Sequence, residues 1–399
     1  MEVKSTYKQT EVGAIPADWS LSTLGVTCAF ENGDRGKNYP SEASSVASGI
    51  PFVNAGDLTE GRIASRELFY ISKSTFDRLG SGKLISGDIL FCLRGSIGKF
   101  GVVPGDFGKG AIASSLVIVR PKSSGVTRQY LTCYFGSAYC TQMIERWSGG
   151  AAQPNLGAQD LARFSIPLPP TVAEQEAIAE VLSDADALIE SLEQLLAKKR
   201  NIKQGAMQEL LTGKRRLPGF SGEWEVKQLG DMCHIKTGSR NNEDKVADGK
   251  YPFFVRSEIV ERINTYSYDC EAILVPGEGR IGDIFHYING RFDAHQRVYT
   301  ITQFSPGTSG KFAYFYLAND FGAHAMKNTV KATVDSLRLP TFQEFEMKAP
   351  PTLLEQTAIA AILSDMDAEL AALDAKLTKA RQIKQGMMQE LLTGRIRLV

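Results

Sequence analysis

Residues 169–214 read PPTVAEQEAIAEVLSDADALIESLEQLLAKKRNIKQGAMQELLTGK, and the stretch returns at 350–395 as PPTLLEQTAIAAILSDMDAELAALDAKLTKARQIKQGMMQELLTGR. The offset is a constant 181 without a gap, and 28 of the 46 aligned positions are identical. That period is far longer than a solenoid unit, so the chain duplicates something domain-sized. It divides into four parts: a first domain at 1–168, a first repeated helix at 169–214, a second domain at 215–349 and a second repeated helix at 350–399.

The repeat carries its own start and stop signals. Thr171 followed by Glu174, and Thr352 followed by Glu355, predict a capping box at each helix start. Apolar residues recur at helical spacing from Ile178 and Leu182 through Leu196 to Leu210 and Leu211, a stripe suited to a partner helix. Gly213 and Gly394 follow the last apolar pair and are expected to close the helices in the left-handed region. Gly205 and Gly386 sit inside them, which predicts a close helix crossing or a local bend. Acidic residues come early (Glu174, Asp184, Asp186; Glu355, Asp365, Asp367) and basic ones late (Lys199, Arg200, Lys203; Lys379, Arg381, Lys384). Each helix thus agrees with its own macrodipole. An antiparallel pair sets acid against base, so an antiparallel intramolecular coiled coil is expected.

The domains between the helices share a plan but have diverged. Trp224, Leu229, Gly230, Cys233, Gly238 and Arg240 fall on Trp19, Leu24, Gly25, Cys28, Gly33 and Arg35 at an offset of 205. Ile281-Gly282 matches Ile97-Gly98 at 184, and Phe345 matches Phe164 at 181, so the first domain carries about 24 extra residues. Strands are expected at 51–53, 88–92, 102–103 and 115–119, a helix over 127–146, and an extended exit at 164–170. The first helix feeds through Leu217-Pro218 into the Trp224 domain start. If the halves obey a pseudo-twofold, the end of the second helix lies beside Trp19 and the chain is circular in space. The fold class is therefore α+β: two mixed α/β domains separated by two long antiparallel helices.

Lys+Arg and Asp+Glu are both 45, so no global charge advertises nucleic acid, although local basic faces remain open. The six cysteines show no metal-binding spacing and are read as reduced thiols of a cytoplasmic protein. No apolar run approaches the length, about 18 residues, at which a membrane-spanning helix becomes a candidate. Gly277-Glu278-Gly279-Arg280-Ile281-Gly282 is a literal GxGxxG, but the residues after it alternate like a strand, where a dinucleotide site needs a helix. It and Arg94-Gly95-Ser96-Ile97-Gly98-Lys99 are read as tight loops able to approach DNA closely. The double prolines lack the flanking residues of a methyltransferase motif, and there is no P-loop lysine, so no catalytic, cofactor or metal site is expected.

Arg and Lys can pair with guanine, and Asn or Gln with adenine. The candidates for DNA contact are Arg35, Lys37, Arg94, Lys99, Lys109, Gln153 and Asn155 in the first domain. In the second they are Arg240, Asn241, Asn242, Arg256, Arg280, His295, Gln296, Arg297, Lys327 and Lys331.

Domain–helix–domain–helix, with Gly13-Ala14-Ile15-Pro16-Ala17-Asp18-Trp19 and Gly219-Phe220-Ser221-Gly222-Glu223-Trp224 opening the domains, resembles a type I restriction–modification specificity subunit. The exits, Pro169-Pro170 then Glu174-Gln175 and Pro350-Pro351 then Glu355-Gln356, are similar too. The resemblance implies two target-recognition domains, each reading half of a split double-stranded DNA site, with the helices as a ruler. It also implies two modification subunits that methylate adenine with S-adenosylmethionine, and restriction subunits that use ATP and Mg. The specificity subunit itself would hold no cofactor. The competing reading is a coiled-coil adaptor whose two heads bind protein.

Overall fold

The computed structural model describes residues 6–41, 44–59, 61–64, 68–122, 125–148, 155–328 and 336–398. It divides into two compact units, Met1–Ser191 with Leu377–Val399, and Leu192–Lys376. The division falls inside both copies of the repeat.

The repeats form helices α1 (Val172–Leu210) and α2 (Leu353–Leu391), 39 residues each, or roughly 58 Å at 1.5 Å per residue. Thr171 Oγ1 accepts from the Glu174 N–H (3.2 Å) and Thr352 Oγ1 from the Glu355 N–H (3.3 Å). The reciprocal half of the expected capping box is absent. Arg397 takes both oxygens of Glu174, and Arg216 takes both oxygens of Glu355. A charge-assisted guanidinium fork outcompetes a single bond to a neutral backbone N–H.

At the far ends Gly213 (φ 71°) and Gly394 (φ 68°) are left-handed, as expected of helix-closing glycines. A Cβ on Gly394 would lie 2.6 Å from Pro16, so position 394 needs glycine for space as well as for φ. Of the two expectations for Gly205 and Gly386, the close crossing is not met. A Cβ on either would meet nothing within 4 Å, so neither marks a close crossing.

The helices run antiparallel within each unit. In the second, Lys199 pairs with Glu369 (2.6 Å), and Lys203 pairs with Asp367. In the first, Lys384 Nζ meets Asp186 (2.5 Å). Lys203 and Lys384, and Asp186 and Asp367, are mates under the offset of the repeat. The same contact therefore occurs twice, as a pseudo-twofold requires. These exposed pairs fix register; stability comes from buried Ile178, Leu182 and Leu391 in one unit and Leu210, Ile359 and Leu363 in the other.

In the first unit a four-stranded antiparallel sheet has the order Phe100–Val102, Ile89–Cys92, Leu116–Pro121, Cys28–Asn32. A three-stranded sheet, Ala111–Ile112, Ser45–Val53, Phe69–Ile71, lies beside it in the order given. The helix expected over 127–146 is two, Arg128–Phe135 and Ala138–Ser148. Ser137 separates them: its Oγ donates to the Tyr134 carbonyl (2.6 Å) and accepts from the Cys140 N–H (3.1 Å), ending one helix and starting the next. Tyr130 and Tyr134 point into the core and donate to the carbonyls of Pro167 (2.8 Å) and Ser165 (3.0 Å). That pins the exit strand Ser165–Leu168, which pairs with Ser20–Thr23.

The second unit holds one six-stranded sheet, in the order His234–Thr237, Val298–Thr302, Tyr268–Pro276, His286–Ala294, Tyr251–Phe254, Glu261–Ile263. Tyr251–Phe254 runs parallel to His286–Ala294, and the other pairings are antiparallel. Phe312, Phe315, Phe321 and Phe342 fill the core against α1 and α2. All six cysteines are free thiols. Among the described residues no helix is long and apolar enough to cross a membrane.

One joint fixes each domain to its helices. Gln175, 2% exposed, accepts from the Thr127 N–H (2.8 Å) and donates to the Gly125 carbonyl (2.9 Å). Gln356, 3% exposed, repeats this with the Ser309 N–H (2.9 Å) and the Gly307 carbonyl (3.0 Å). Each glutamine thus grips the N-cap residue of a domain helix. Its neighbours Glu174 and Glu355 grip Arg397 and Arg216, which lie over Trp19 and Trp224. Arg397 also reaches Asp18 (3.1 Å), so the end of the second repeat lies beside the Trp19 start of the first domain, as the circular plan expects.

Candidate nucleic-acid interface

In the second unit three backbone segments knit together where the parallel strand pair ends. The Gly238 N–H donates to the Val298 carbonyl (2.9 Å), Arg240 N–H to Ala294 (3.2 Å), Gln296 N–H to Arg240 (2.8 Å) and His295 N–H to Phe254 (2.9 Å). Glycine at 238 is what permits this approach, since a Cβ would lie 2.2 Å from the Ala294 carbonyl oxygen. Asn242, Arg256 and His295, drawn from three separate stretches of sequence, consequently line one cleft, and Arg240, Asn241, Gln296 and Arg297 are joined to it by contacts with His295, with one another and with Glu278.

The side chains there are tightly paired. Arg240 Nε and Thr265 Oγ1 both donate to Asp293 Oδ2 (3.1 Å each), and the Asp293 side chain is fully buried. Gln296 Nε2 donates to Asn241 Oδ1 (2.5 Å). Glu278 lies between Arg256 (3.3 Å) and Arg297 (3.2 Å). Burial first, then the neighbouring Arg256 and Arg297 charges, lower the His295 pKa below its ordinary value. Its Nδ1 accepts from the Arg297 N–H (3.0 Å), so the neutral ring carries its proton on Nε2. Arg280, in the neighbouring loop, pairs with Glu258 (2.8 Å) and Asp283 (3.5 Å). Lys327 ends the helix Gly322–Lys327 and does not line the cleft. Lys331 lies outside the described residues.

The first unit has the corresponding cleft. Gly33 matches Gly238, and a Cβ there would lie 2.6 Å from the Ala113 carbonyl oxygen. Arg94 Nε donates to Asn155 Oδ1 (3.1 Å), and the two residues form a backbone bridge, as their counterparts Glu278 and Ser336 do. Arg35 Nη2 donates to the Ser114 carbonyl (3.2 Å). Arg35, Arg94 and Asn155 line this cleft. Lys37, Lys99 and Lys109 are exposed outside it, and Gln153 lies outside the described residues.

Both glycine loops are strand connections. Gly95 and Gly98 (φ 79° and 87°) lie between antiparallel Ile89–Cys92 and Phe100–Val102, and Gly279 and Gly282 (φ 86° and 75°) between antiparallel Tyr268–Pro276 and His286–Ala294. No helix N-terminus follows, so neither is a dinucleotide loop.

In sequence, Asp293-Ala294-His295-Gln296-Arg297 reads either as a polar cluster able to reach base edges or as a solvated turn, and Glu278 reads as part of a glycine loop; neither reading pairs these carboxylates with arginines. Asp293 and Glu278 orient the arginines. The arginines of the joints were also missed. Arg216 and Arg397 are related by the same offset of 181, so the repeat relationship continues past the aligned stretch.

Two like domains that present polar, arginine-bearing clefts with different residues, each tied by the same joint to a duplicated helix, define a two-headed recognition subunit. A model of the type I restriction modification DNA specificity domain matches residues 16–199 and again 221–382. The chain belongs to that family, whose members are non-catalytic specificity subunits, and it carries two specificity domains. It is 25% identical to the putative type I restriction enzyme MjaX specificity subunit of Methanocaldococcus jannaschii, over 99% of this chain and 97% of that one. It is 30% identical to the Escherichia coli type I restriction enzyme EcoDI specificity subunit, over 43% of this chain and 37% of that one. The crystal structure of a type I restriction–modification S subunit from M. genitalium shares the fold, with a TM-score of 0.66 at 16% identity over 94% of this chain and 96% of that one.

Proposed function

We propose that each specificity domain reads one half of a bipartite, asymmetric duplex site, and that α1 and α2 fix the separation of the halves. The observation that carries this is the duplicated joint. Gln175 and Gln356 hold domain helices in the same way while the clefts beyond them differ. Most arginines of the second cleft are matched by carboxylates, which leaves little unspent positive charge for phosphates. The DNA grip is therefore shared with partners. These are two modification subunits docked on the helices, which supply S-adenosylmethionine and methylate adenine, and restriction subunits that use ATP and Mg.

The test co-expresses the chain with its modification subunit and maps methylated adenines. Lengthening α1 and α2 together by one or two turns is expected to change the spacer and leave both half-sites as they were. An unchanged spacer would overturn the ruler, and methylation without a bipartite consensus would overturn the reading as a whole.

A further inference from the structure

Asp293 stands out among the buried carboxylates. It is 0% exposed, yet Oδ1 has no hydrogen-bond partner among the described residues. A half-satisfied buried carboxylate costs stability, and it requires a cation beside it. That cation is Arg240, whose Nε meets Oδ2 at 3.1 Å. Arg240 is clamped from its backbone as well, through Ala294 and Gln296. Its Nη1 and Nη2 have no partner among the described residues, and 34% of the side chain remains in solvent. The guanidinium is therefore held by its inner edge, and its outer fork is left open.

We infer that Arg240 reads a guanine in the half-site of the second domain, and that Asp293 is the positioning residue that aims it. This rests on the reading of the chain as a DNA specificity subunit. A guanidinium contacting guanine O6 and N7 end-on uses both terminal nitrogens, the two that Asp293 leaves free. Fixing Nε removes rotamer freedom before binding, so less order is lost on contact. The neighbouring Asn241–Gln296 amide pair stands at the same edge and is exposed.

The first domain has no carboxylate anchor at the corresponding place. Phe253 pairs in parallel register with Asp293, and its counterpart Phe52 pairs with Ala111. Alanine there offers no anchor. Arg35, the counterpart of Arg240, instead spends Nη2 on the Ser114 carbonyl (3.2 Å). Arg94 of the first cleft is held through Nε by the neutral Asn155 Oδ1 (3.1 Å), so among the described residues what sets the second cleft apart is the buried carboxylate anchor.

The test uses the chain assembled with its modification subunits to select from randomised duplex DNA, and sequences what is retained. The native complex is expected to enrich a bipartite site with guanine at one fixed position of the second half. Arg240→Lys keeps the charge and loses the fork; Asp293→Asn keeps the shape and loses the charge. Both are expected to weaken preference at that one position roughly tenfold to hundredfold, with every other position within about twofold and the first half-site unchanged. Unchanged preference in both variants overturns the inference and leaves the DNA reading standing. So does an equal fall across the whole second half-site, which marks a merely structural role. If Asp293→Asn unfolds, Arg240→Lys decides. Failure of the native complex to enrich any bipartite site overturns the DNA reading and this inference with it.

Discussion

Replacing Arg216 with alanine would strand the carboxylate of Glu355. That side chain is 1% exposed, and its two oxygens take Arg216 Nε and Nη2 at 2.6 Å each. Breaking a buried ion pair from one side costs about 3–5 kcal/mol, because the remaining charge is left without a partner or water. Arg216 keeps 26% of its side chain in solvent, and water entering its place offsets part of the loss, so the low end is expected, about 3 kcal/mol. In a unit the size of Leu192–Lys376 this lowers Tm by about 6–12 °C. The assay is calorimetry and urea unfolding at pH 7 on Arg216→Ala, Glu355→Gln and the double variant Arg216→Met/Glu355→Gln. The double variant has no stranded charge and is expected to recover at least half of the loss. Arg216 also donates to the carbonyls of Gly222 (2.6 Å) and Ser221 (3.1 Å), contacts that both arginine variants lose alike, and lies over Trp224, where methionine keeps part of the packing and alanine does not. If the double variant is no more stable than Arg216→Ala, the reasoning from buried charge is refuted and the hydrogen bonds to Gly222 and Ser221 are the reason for the arginine.

Gln356→Ala removes the acceptor of the Ser309 N–H and the donor to the Gly307 and Pro350 carbonyls; a loss of about 1–3 kcal/mol is expected, with faster hydrogen exchange at Ser309, and unaltered exchange there would refute the joint. The glycines of the repeat separate by environment: Gly394→Ala, at φ 68° with Pro16 2.6 Å from the new Cβ, is expected to cost about 2 kcal/mol or more, whereas Gly205→Ala, into open space inside a helix, is expected to stabilise by about 1 kcal/mol. Thermal melts showing the same sign for both would contradict this. His295 binds its proton less readily folded than unfolded, because burial and two arginines lower its pKa. Its contribution is therefore fully present above the unfolded value of about 6.5 and is lost as pH falls through the folded value. His295→Gln is expected to flatten the fall in urea midpoint between pH 7 and 5, and parallel pH profiles would count against it.

The repeat made the architecture legible. Helix limits, the capping threonines, closing glycines, antiparallel pairing and the meeting of the chain's two ends are local or symmetry-determined properties, and periodicity, charge order and a constant offset encode them directly. Single strands were legible for the same reason. The break at Ser137 was not, because a serine inside a helical pattern acquires its meaning only when the carbonyl of Tyr134 and the N–H of Cys140 are both within its reach. The close crossing at Gly205 and Gly386 fails for a similar reason: a repeated glycine announces a constraint, but only the packed structure shows that nothing stands opposite it.

For the clefts, the sequence by itself supplied the cast and the tertiary structure decided the grouping. Arg240 and His295 are distant along the chain and meet because a parallel strand pair and a glycine contact bring their backbones together. No spacing rule connects them. Sequence also assigned Glu174 and Glu355 to local capping, the nearest donors along the chain. In the folded chain each finds an arginine 223 or 139 residues away. A buried carboxylate is satisfied by the strongest donor in space, and sequence distance does not enter that competition.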